Sequence, residues 1–398
     1  PPEAMRRLSD KIAAKTLAEE AGVPVVPWSG RAVADPAEAA IEAARLGFPV
    51  VVKAAAGGGG RGIRVVGSPD EMPAAFESAR NEAFRAFGDP TVFVEKLLVG
   101  VRHVEVQVFG DSFGTTWAVG VRDCTVQRRH QKVLEESPAP TLTAETVEEL
   151  KAAALRIART AGYRNAGTVE FLFDPKNGSF AFLEVNARLQ VEHTVTEMTT
   201  GLDLVKLQIH VARGGRLQGE PPVPSGHAIE VRINAEDPDA GFAPSPGKFL
   251  HFRLPTGPGL RIDRGVTEGD TVAPEFDPMI AKLIAHGADR AEALARLRRA
   301  LSESAVVLDG GTTNKAFLLE LLDRPEVRSA QVDTGWLERW TTERVAQTRP
   351  HAAIALLAAA VEAYDDELRV EEEKFYQSAA RMRPEIRKEV GRTIEFRH

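Results

Sequence analysis

Every second residue from Glu184 to Glu192 carries polar chemistry: Glu184, Asn186, Arg188, Gln190 and Glu192 alternate with Val185, Ala187, Leu189 and Val191. If residues 184–193 are extended, successive side chains point to opposite sides and the five polar groups share one face. That face holds two carboxylates, an amide pair and a guanidinium, although alternation alone also describes a solvated amphipathic strand. The preceding residues add weight. Apolar runs at 168–173 and 180–183 flank the turn-forming stretch 174–179, which is a hairpin signal. Glu170 then lies opposite Glu184 or within a residue or two of it. Opposed carboxylates are destabilising unless neutralised. A hard divalent cation neutralises them and keeps positions open for substrate phosphates, so Glu170, Glu184 and Asn186 read as a Mg2+–nucleotide site.

A second candidate precedes these. The apolar strand at 49–53 ends in Lys53 and runs into Gly57, Gly58, Gly59, Gly60 and Gly62, then leaves as another apolar run at 63–66. The match to G-x-G-x-x-G is formal, because a dinucleotide fold needs a helix where this chain shows a strand, and no Gly-Lys-Ser/Thr closes a Walker A loop. Strand, glycine loop, strand describes a flap whose backbone N–H groups close on phosphate oxygens, with Lys53 as a point charge; the plain alternative is a flexible surface loop. Residues 127–132 form a basic run in an acidic chain, better explained by a phosphate-bearing ligand than by a solvated loop.

The elements that position these groups follow from periodicity. A helix is expected over 3–21, carrying Lys11, which by itself reads as a surface lysine. A strand–helix–strand unit follows to residue 67, then a helix over 68–86 and strands at 91–98 and 102–109, the second placing His103, Glu105 and Gln107 on one face. A helix at 144–161 precedes the hairpin and another covers 196–212. The Gly- and Pro-rich stretch 214–225 marks a boundary, beyond which Glu230, Arg232 and Asn234 alternate. Residues 352–383 read as one long packing helix ended by Pro384, with a strand-like tail.

Composition sets outer limits. The chain has 398 residues, 43% hydrophobic and 27% charged, enough for more than one structural unit. A formal charge of −7 argues against nucleic acid as a partner. Cys124 is the only cysteine, which excludes an internal disulfide and reads as a small buried hydrophobe. No apolar run is long enough for a membrane span and no signal region opens the chain, so a cytoplasmic, soluble protein is expected.

These stretches closely resemble one family, the ATP-grasp enzymes of the biotin carboxylase kind. The resemblance rests on Lys53 with the glycine flap and residues 61–66, on Glu95-Lys96 with 102–107, and on the runs 127–132, 184–193 and 230–238, in family order from about residue 4 to about residue 335. It implies an α+β ATP-grasp fold, two lobes with a glycine-rich flap, followed by a β-rich biotin carboxylase C-terminal domain and a helical linker. The divisions implied are 1–24, 25–97, 98–225, 226–335 and 345–398. By resemblance, Lys11, Lys53, Gly58, Gly59 and Gly60 would contact ATP phosphates; Glu95, Lys96 and Leu98 would hold the adenine; His103, Gln127 and His130 would line the nucleotide pocket. Glu170, Glu184 and Asn186 would hold Mg2+, with Mn2+ as the alternative ion. Lys132, Arg188, Gln190, Val191 and Glu192 would bind bicarbonate, Glu192 acting as base, and Arg232 would stabilise the enolate of biotin.

The implied reaction is phosphorylation of bicarbonate by ATP, breakdown of carboxyphosphate, and carboxylation of biotin. No Met-Lys-Met biotinylation signature occurs, so biotin is expected on a carrier domain, with a carboxyltransferase as a further partner and a homo-oligomer as the assembly. The family's additional amino-terminal domain has no counterpart here, and residues 345–398 are expected to begin a further region of a fused carboxylase. Two rivals remain: an ATP-grasp ligase joining a carboxylate to an amine, and a MgATP-binding segment without activity of its own.

Overall fold

Asp10 divides the first helical stretch. Its backbone is extended (φ −82°, ψ 120°), and its carboxylate accepts from the Ala13 N–H at 2.7 Å, which caps a new helix. The single helix expected over 3–21 is therefore two, α1 (Pro2–Ser9) and α2 (Lys11–Glu20), and Lys11 starts the second. The computed structural model describes residues 1–57, 61–273, 275, 277–343 and 352–379.

Next come α3 (Pro36–Leu46), β1 (Val50–Ala54), β2 (Ile63–Val66), α4 (Met72–Phe87) and β3 (Val92–Lys96). The three strands pair antiparallel in the order β2-β1-β3. Val50, Val52, Val66, Val92 and Val94 pack on Ala39, Ala43, Phe76 and Ala79 of the two helices, making a small core of its own. The glycine run joins β1 to β2, and Gly58, Gly59 and Gly60 lie outside the described residues. Gly57 is required where it stands: its φ is +93°, and a Cβ there would come within 2.2 Å of the Phe87 ring.

The rest of the body contains β4 (Arg102–Gly110), β5 (Thr116–Arg128), β6 (Gln131–Ser137), α5 (Ala144–Thr160), β7 (Asn165–Asp174), β8 (Ser179–Asn186), α6 (His193–Thr200), α7 (Leu204–Ala212) and β9 (His227–Asn234). It continues through β10 (Glu236–Asp237), β11 (Ala243–Pro244), β12 (Lys248–Arg253), β13 (Leu260–Arg264), β14 (Met279–Gly287), α8 (Arg290–Glu303), β15 (Ala305–Asp309), α9 (Lys315–Asp323), α10 (Pro325–Arg328) and α11 (Trp336–Glu343). Eight of these strands form one sheet in the order β13-β14-β9-β6-β5-β4-β7-β8. The sheet runs on across the 214–225 stretch, because β9 pairs with β6.

Strand alternation gives the sheet an apolar face and a polar one. Val104, Val106 and Val108 of β4 pack with Leu17, Leu150, Ala154 and Ile157 of α2 and α5. Ile229, Val231 and Ile233 of β9 pack with Leu297, Leu301 and Phe317 of α8 and α9. Residues of the other parity, His103, Glu105, Gln107, Glu230 and Arg232, take the opposite face. The helix α12 (Ala352–Ala379) belongs to a separate unit, Glu343–His398, and carries Ile354, Leu357, Val361, Tyr364 and Leu368 at helical spacing. The tail expected after Pro384 lies outside the described residues. Among the described residues no helix is long and apolar enough to cross a membrane.

Candidate active site

Sheet register sets three glutamates side by side. Glu105 on β4 pairs with Glu170 on β7, and Glu170 pairs with Glu184 on β8. Of the registers left open by the hairpin, the chain takes the one that faces Glu170 with Glu184. Such a row is destabilising without counter-charge, and cations converge on it. Lys11 pairs with Glu184. Lys132 reaches Glu105 at 2.6 Å, Glu170 at 3.0 Å and Glu192 at 2.5 Å. His103 Nε2 lies 3.2 Å from Glu170. The buried Arg122 guanidinium donates to Glu105 at 2.6 Å, Gln107 at 2.9 Å and Gln190 at 3.1 Å.

The run 184–193 is not extended throughout. β8 ends at Asn186, and the chain turns before α6 starts at His193. Local side-chain bonds to the backbone replace the ladder: Arg188 donates to the Leu189 carbonyl at 3.3 Å, and His193 Nδ1 sits 2.7 Å from the Gln190 carbonyl. Arg188 is exposed, whereas Gln190 and Glu192 turn inward. Gln190 donates to Glu170 at 2.8 Å, and Glu192 meets Lys132 and, at 3.0 Å, Arg232. Arg232 is in turn held by Glu135 at 2.5 Å. The expected polar groups other than Arg188 thus gather in one cleft through a turn, not by simple alternation.

The basic run 127–132 is a tight hairpin turn between β5 and β6, with Arg129 (φ 47°) and His130 (φ 66°) left-handed. It does not act as one cluster. Arg128 stacks on Phe242 with 4.1 Å to the ring centroid and donates to the Gly241 carbonyl, while Lys132 enters the glutamate row. Gln127 is buried opposite Lys132. Lys53 pairs with Glu95, whose other oxygen lies 2.6 Å from the buried Lys15 ammonium. The Glu95 side chain is thereby committed to two lysines, and its backbone pairs with Val51 of β1. Lys96 donates to the carbonyls of Gly47 and Phe48, and Leu98 lies in the link 97–101 between β3 and β4.

These contacts set the protonation states. Burial opposes ionisation of Glu192, but Lys132, Arg232 and Arg122 outweigh it and bring the carboxyl down to about 2. Glu170 is likewise held well below the usual carboxylate range by Lys132 and His103, against burial. Lys132 is raised against burial by Glu105 and Glu170. Burial and then the neighbouring Glu135 push Glu230 up to about 8. Partial burial and then Lys53 lower His130. Burial raises the Cys124 thiol well above its ordinary value, so it stays protonated and inert.

Toward a cation, Glu170, Glu184 and Asn186 offer oxygen atoms, the ligand type Mg2+ takes, with Mn2+ tolerated by the same donors. Both carboxylates already hold ammonium partners, Lys132 and Lys11, so positive charge at this place is what the fold calls for. The residues fit the ion.

The fold also brings in groups not singled out from the sequence: Arg122, Glu135, Lys15 and Lys282. All four are buried, and Lys15 and Lys282 stand inside otherwise apolar stretches. For Lys15 and Lys282 a lone charge within an apolar run was the available signal, although it does not say which partner the charge meets.

Residues 10–220 match the family described as the carbamoyl-phosphate synthase L chain ATP-binding domain, and residues 230–339 match the biotin carboxylase C-terminal domain. Biotin carboxylase from Nostoc sp. is 45% identical over 339 residues, 85% of this chain and 75% of that protein. The chain belongs to the biotin carboxylase family. It is an ATP-grasp ligase by that membership. A pyruvate carboxylase subunit from Methanothermobacter thermautotrophicus is 47% identical over 335 residues, 84% of this chain and 67% of that protein. Among solved biotin carboxylases, the Campylobacter jejuni β,γ-ATP complex superposes with a TM-score of 0.82 at 45% identity, covering 85% of this chain and 75% of that one. The biotin carboxylase domain dimer of Hydrogenobacter thermophilus 2-oxoglutarate carboxylase, solved with MgADP, ADP and bicarbonate, gives 0.83 at 39% identity, covering 86% and 76%.

Proposed function

We propose that this chain carries out the biotin carboxylase half-reaction, the ATP-dependent carboxylation of biotin with bicarbonate, and supplies carboxybiotin to an acyl-CoA-type carboxyltransferase. Biotin arrives on a carrier domain, and the chain works as a homo-oligomer, as the Hydrogenobacter domain is a dimer. One observation carries the reading: Glu192 is clamped between Lys132 at 2.5 Å and Arg232 at 3.0 Å, one turn of chain from the Glu170–Glu184 pair.

Lys11, Lys53 and the glycine flap with Gly58, Gly59 and Gly60 would take the ATP phosphates. Glu95, Lys96 and Leu98, at the junction of β3 and β4, would take the adenine, and His103, Gln127 and His130 would line the pocket. Glu170, Glu184 and Asn186 would hold Mg2+, which when bound neutralises charge on the transferring phosphoryl group. Bicarbonate, an anion, would share Lys132 and Arg232 with Glu192 and draw their charge away from it. The carboxylate, weakly basic while both cations hold it, then becomes basic enough to accept the bicarbonate proton. Arg188, exposed at the mouth, and the Gln190 and Val191 backbone would complete the anion site. Arg232, fixed by Glu135, would face biotin with paired donors.

A carboxylate–amine ligase would share the phosphate and metal groups, yet it has no use for Glu192 set between Lys132 and Arg232. The test is ADP release with MgATP, with and without bicarbonate and free biotin, in the wild type, Glu192→Gln and Arg232→Ala. Bicarbonate dependence that collapses at least ~100-fold in Glu192→Gln supports the reading. ATP hydrolysis indifferent to bicarbonate rejects it.

A further inference from the structure

We propose that Lys282 is a positioning residue for the bicarbonate site: its ammonium holds the Val191 carbonyl, so that the peptide linking Val191 to Glu192 presents its N–H to the anion. This inference rests on the bicarbonate reading of residues 188–192.

Lys282 stands in the middle of the apolar strand β14, 7% exposed. Its Nζ donates to the Val191 carbonyl at 2.6 Å and to Thr194 Oγ1 at 3.3 Å. The carboxylates near it are farther away, Glu230 at 3.6 Å and Asp263 at 3.7 Å. A buried ammonium is costly unless its partners compensate, yet its closest partner is a neutral carbonyl. Glu230, pushed up to about 8 by burial and then Glu135, is a weakened counter-charge. Lys282 is therefore bonded most closely to the Val191 peptide, with Asp263, a carboxylate that, against partial burial, Arg261 and Lys282 hold below its usual range, as a more distant counter-charge.

The turn needs such a hold. Its own backbone bonds are long: His193 N–H to Gln190 O and Val195 N–H to Glu192 O are each 3.4 Å. Side chains do the anchoring instead. His193 Nδ1, 2.7 Å from the Gln190 carbonyl, must carry its proton there, since a carbonyl only accepts. Lys282 takes the next carbonyl, that of Val191. In a planar trans peptide the N–H points opposite to the C=O, so pinning these two carbonyls aims the Val191 and Glu192 N–H groups away from His193 and Lys282. Charge on a carbonyl oxygen also polarises its own peptide and makes that N–H a stronger donor. Successive N–H groups ahead of a helix favour an anion.

Lys282→Met, Lys282→Gln and Lys282→Arg in the whole chain test this with two readouts: hydrogen–deuterium exchange of the segment 187–197 without ligands, and KM for bicarbonate beside KM for ATP. In Lys282→Met the expected result is faster exchange confined to that segment, a bicarbonate KM raised about 10-fold or more, and an ATP KM within about twofold. Lys282→Arg, which keeps the charged donor, restores most of both, and Lys282→Gln falls between. Unchanged exchange and bicarbonate KM in Lys282→Met overturn the inference. So does exchange that rises across the whole sheet with both KM values moving together, which makes Lys282 a general stabiliser. If Lys282→Met does not fold, Lys282→Gln is judged by the same two criteria. A wild type whose turnover ignores bicarbonate defeats the underlying reading, while exchange still decides whether Lys282 holds the turn.

Discussion

Glu105, Glu170 and Glu192 all end on Lys132, at 2.6, 3.0 and 2.5 Å. Removing that ammonium in Lys132→Met leaves three buried carboxylates with only Arg122, His103 and Arg232 between them. The expected loss is about 3–5 kcal/mol of stability near neutral pH, read by denaturant titration, with partial recovery toward pH 5 as the freed carboxyls take up protons. The wild type has the opposite dependence. Glu192 in the fold sits at about 2, below the ordinary 4.5, so its stabilisation is full above 4.5 and lost as pH falls toward 2. A melting-temperature profile over pH should therefore cross between the two proteins. The Glu170–Glu184 pair was legible because both sit beside a local hairpin signal. Glu135 and Lys282 were not: alternation assigns a residue to a face, but which strand lies beside it depends on β6 meeting β9 and β9 meeting β14, pairings between distant segments.

At the scale of elements, the β5–β6 turn holds two consecutive left-handed residues, Arg129 and His130, where asparagine and glycine are preferred. Arg129 is exposed. Arg129→Asn is expected to stabilise by about 0.5 kcal/mol or more, seen as a higher melting temperature with ATP binding unchanged; a lower one would mean the arginine makes up the strain through its side chain. Two elements misled the periodic reading for related reasons. A helical spacing continues through Asp10 although its carboxylate caps a new helix there, and the polar–apolar alternation continues past Asn186 although the chain has left the sheet. A repeat of residue types records which way side chains face, and a cap or turn can preserve that while changing the backbone.

Across the whole Pro1–Thr342 unit, two arginines, Arg102 buried and Arg290 half-buried, fasten the last helices to the sheet. Arg102 pairs with Asp123 at 2.8 Å and donates to the carbonyls of Ala330 at 2.7 Å and Val332 at 2.8 Å. Arg290 holds Glu136 at 2.6 Å and the carbonyls of Val327 and Arg328. Arg102→Ala strands Asp123 and two carbonyls, so a loss of about 3 kcal/mol or more is expected, with brief trypsin treatment cutting first at Arg328 or Arg339. Cleavage elsewhere first would show that those helices stay docked without it. The Gly- and Pro-rich stretch 214–225 suggested a break in the molecule from composition alone. No local signal could reveal that β6 and β9 hydrogen-bond across it. That pairing has a practical corollary. Opening the chain at Gly219 would interrupt no ladder, yet would place Lys132 and Glu192 on one piece and Arg232 and Lys282 on the other, each piece ending in a bare strand edge. Fused to two proteins that bind each other, the halves would make a two-part reporter whose output is bicarbonate-dependent ADP release.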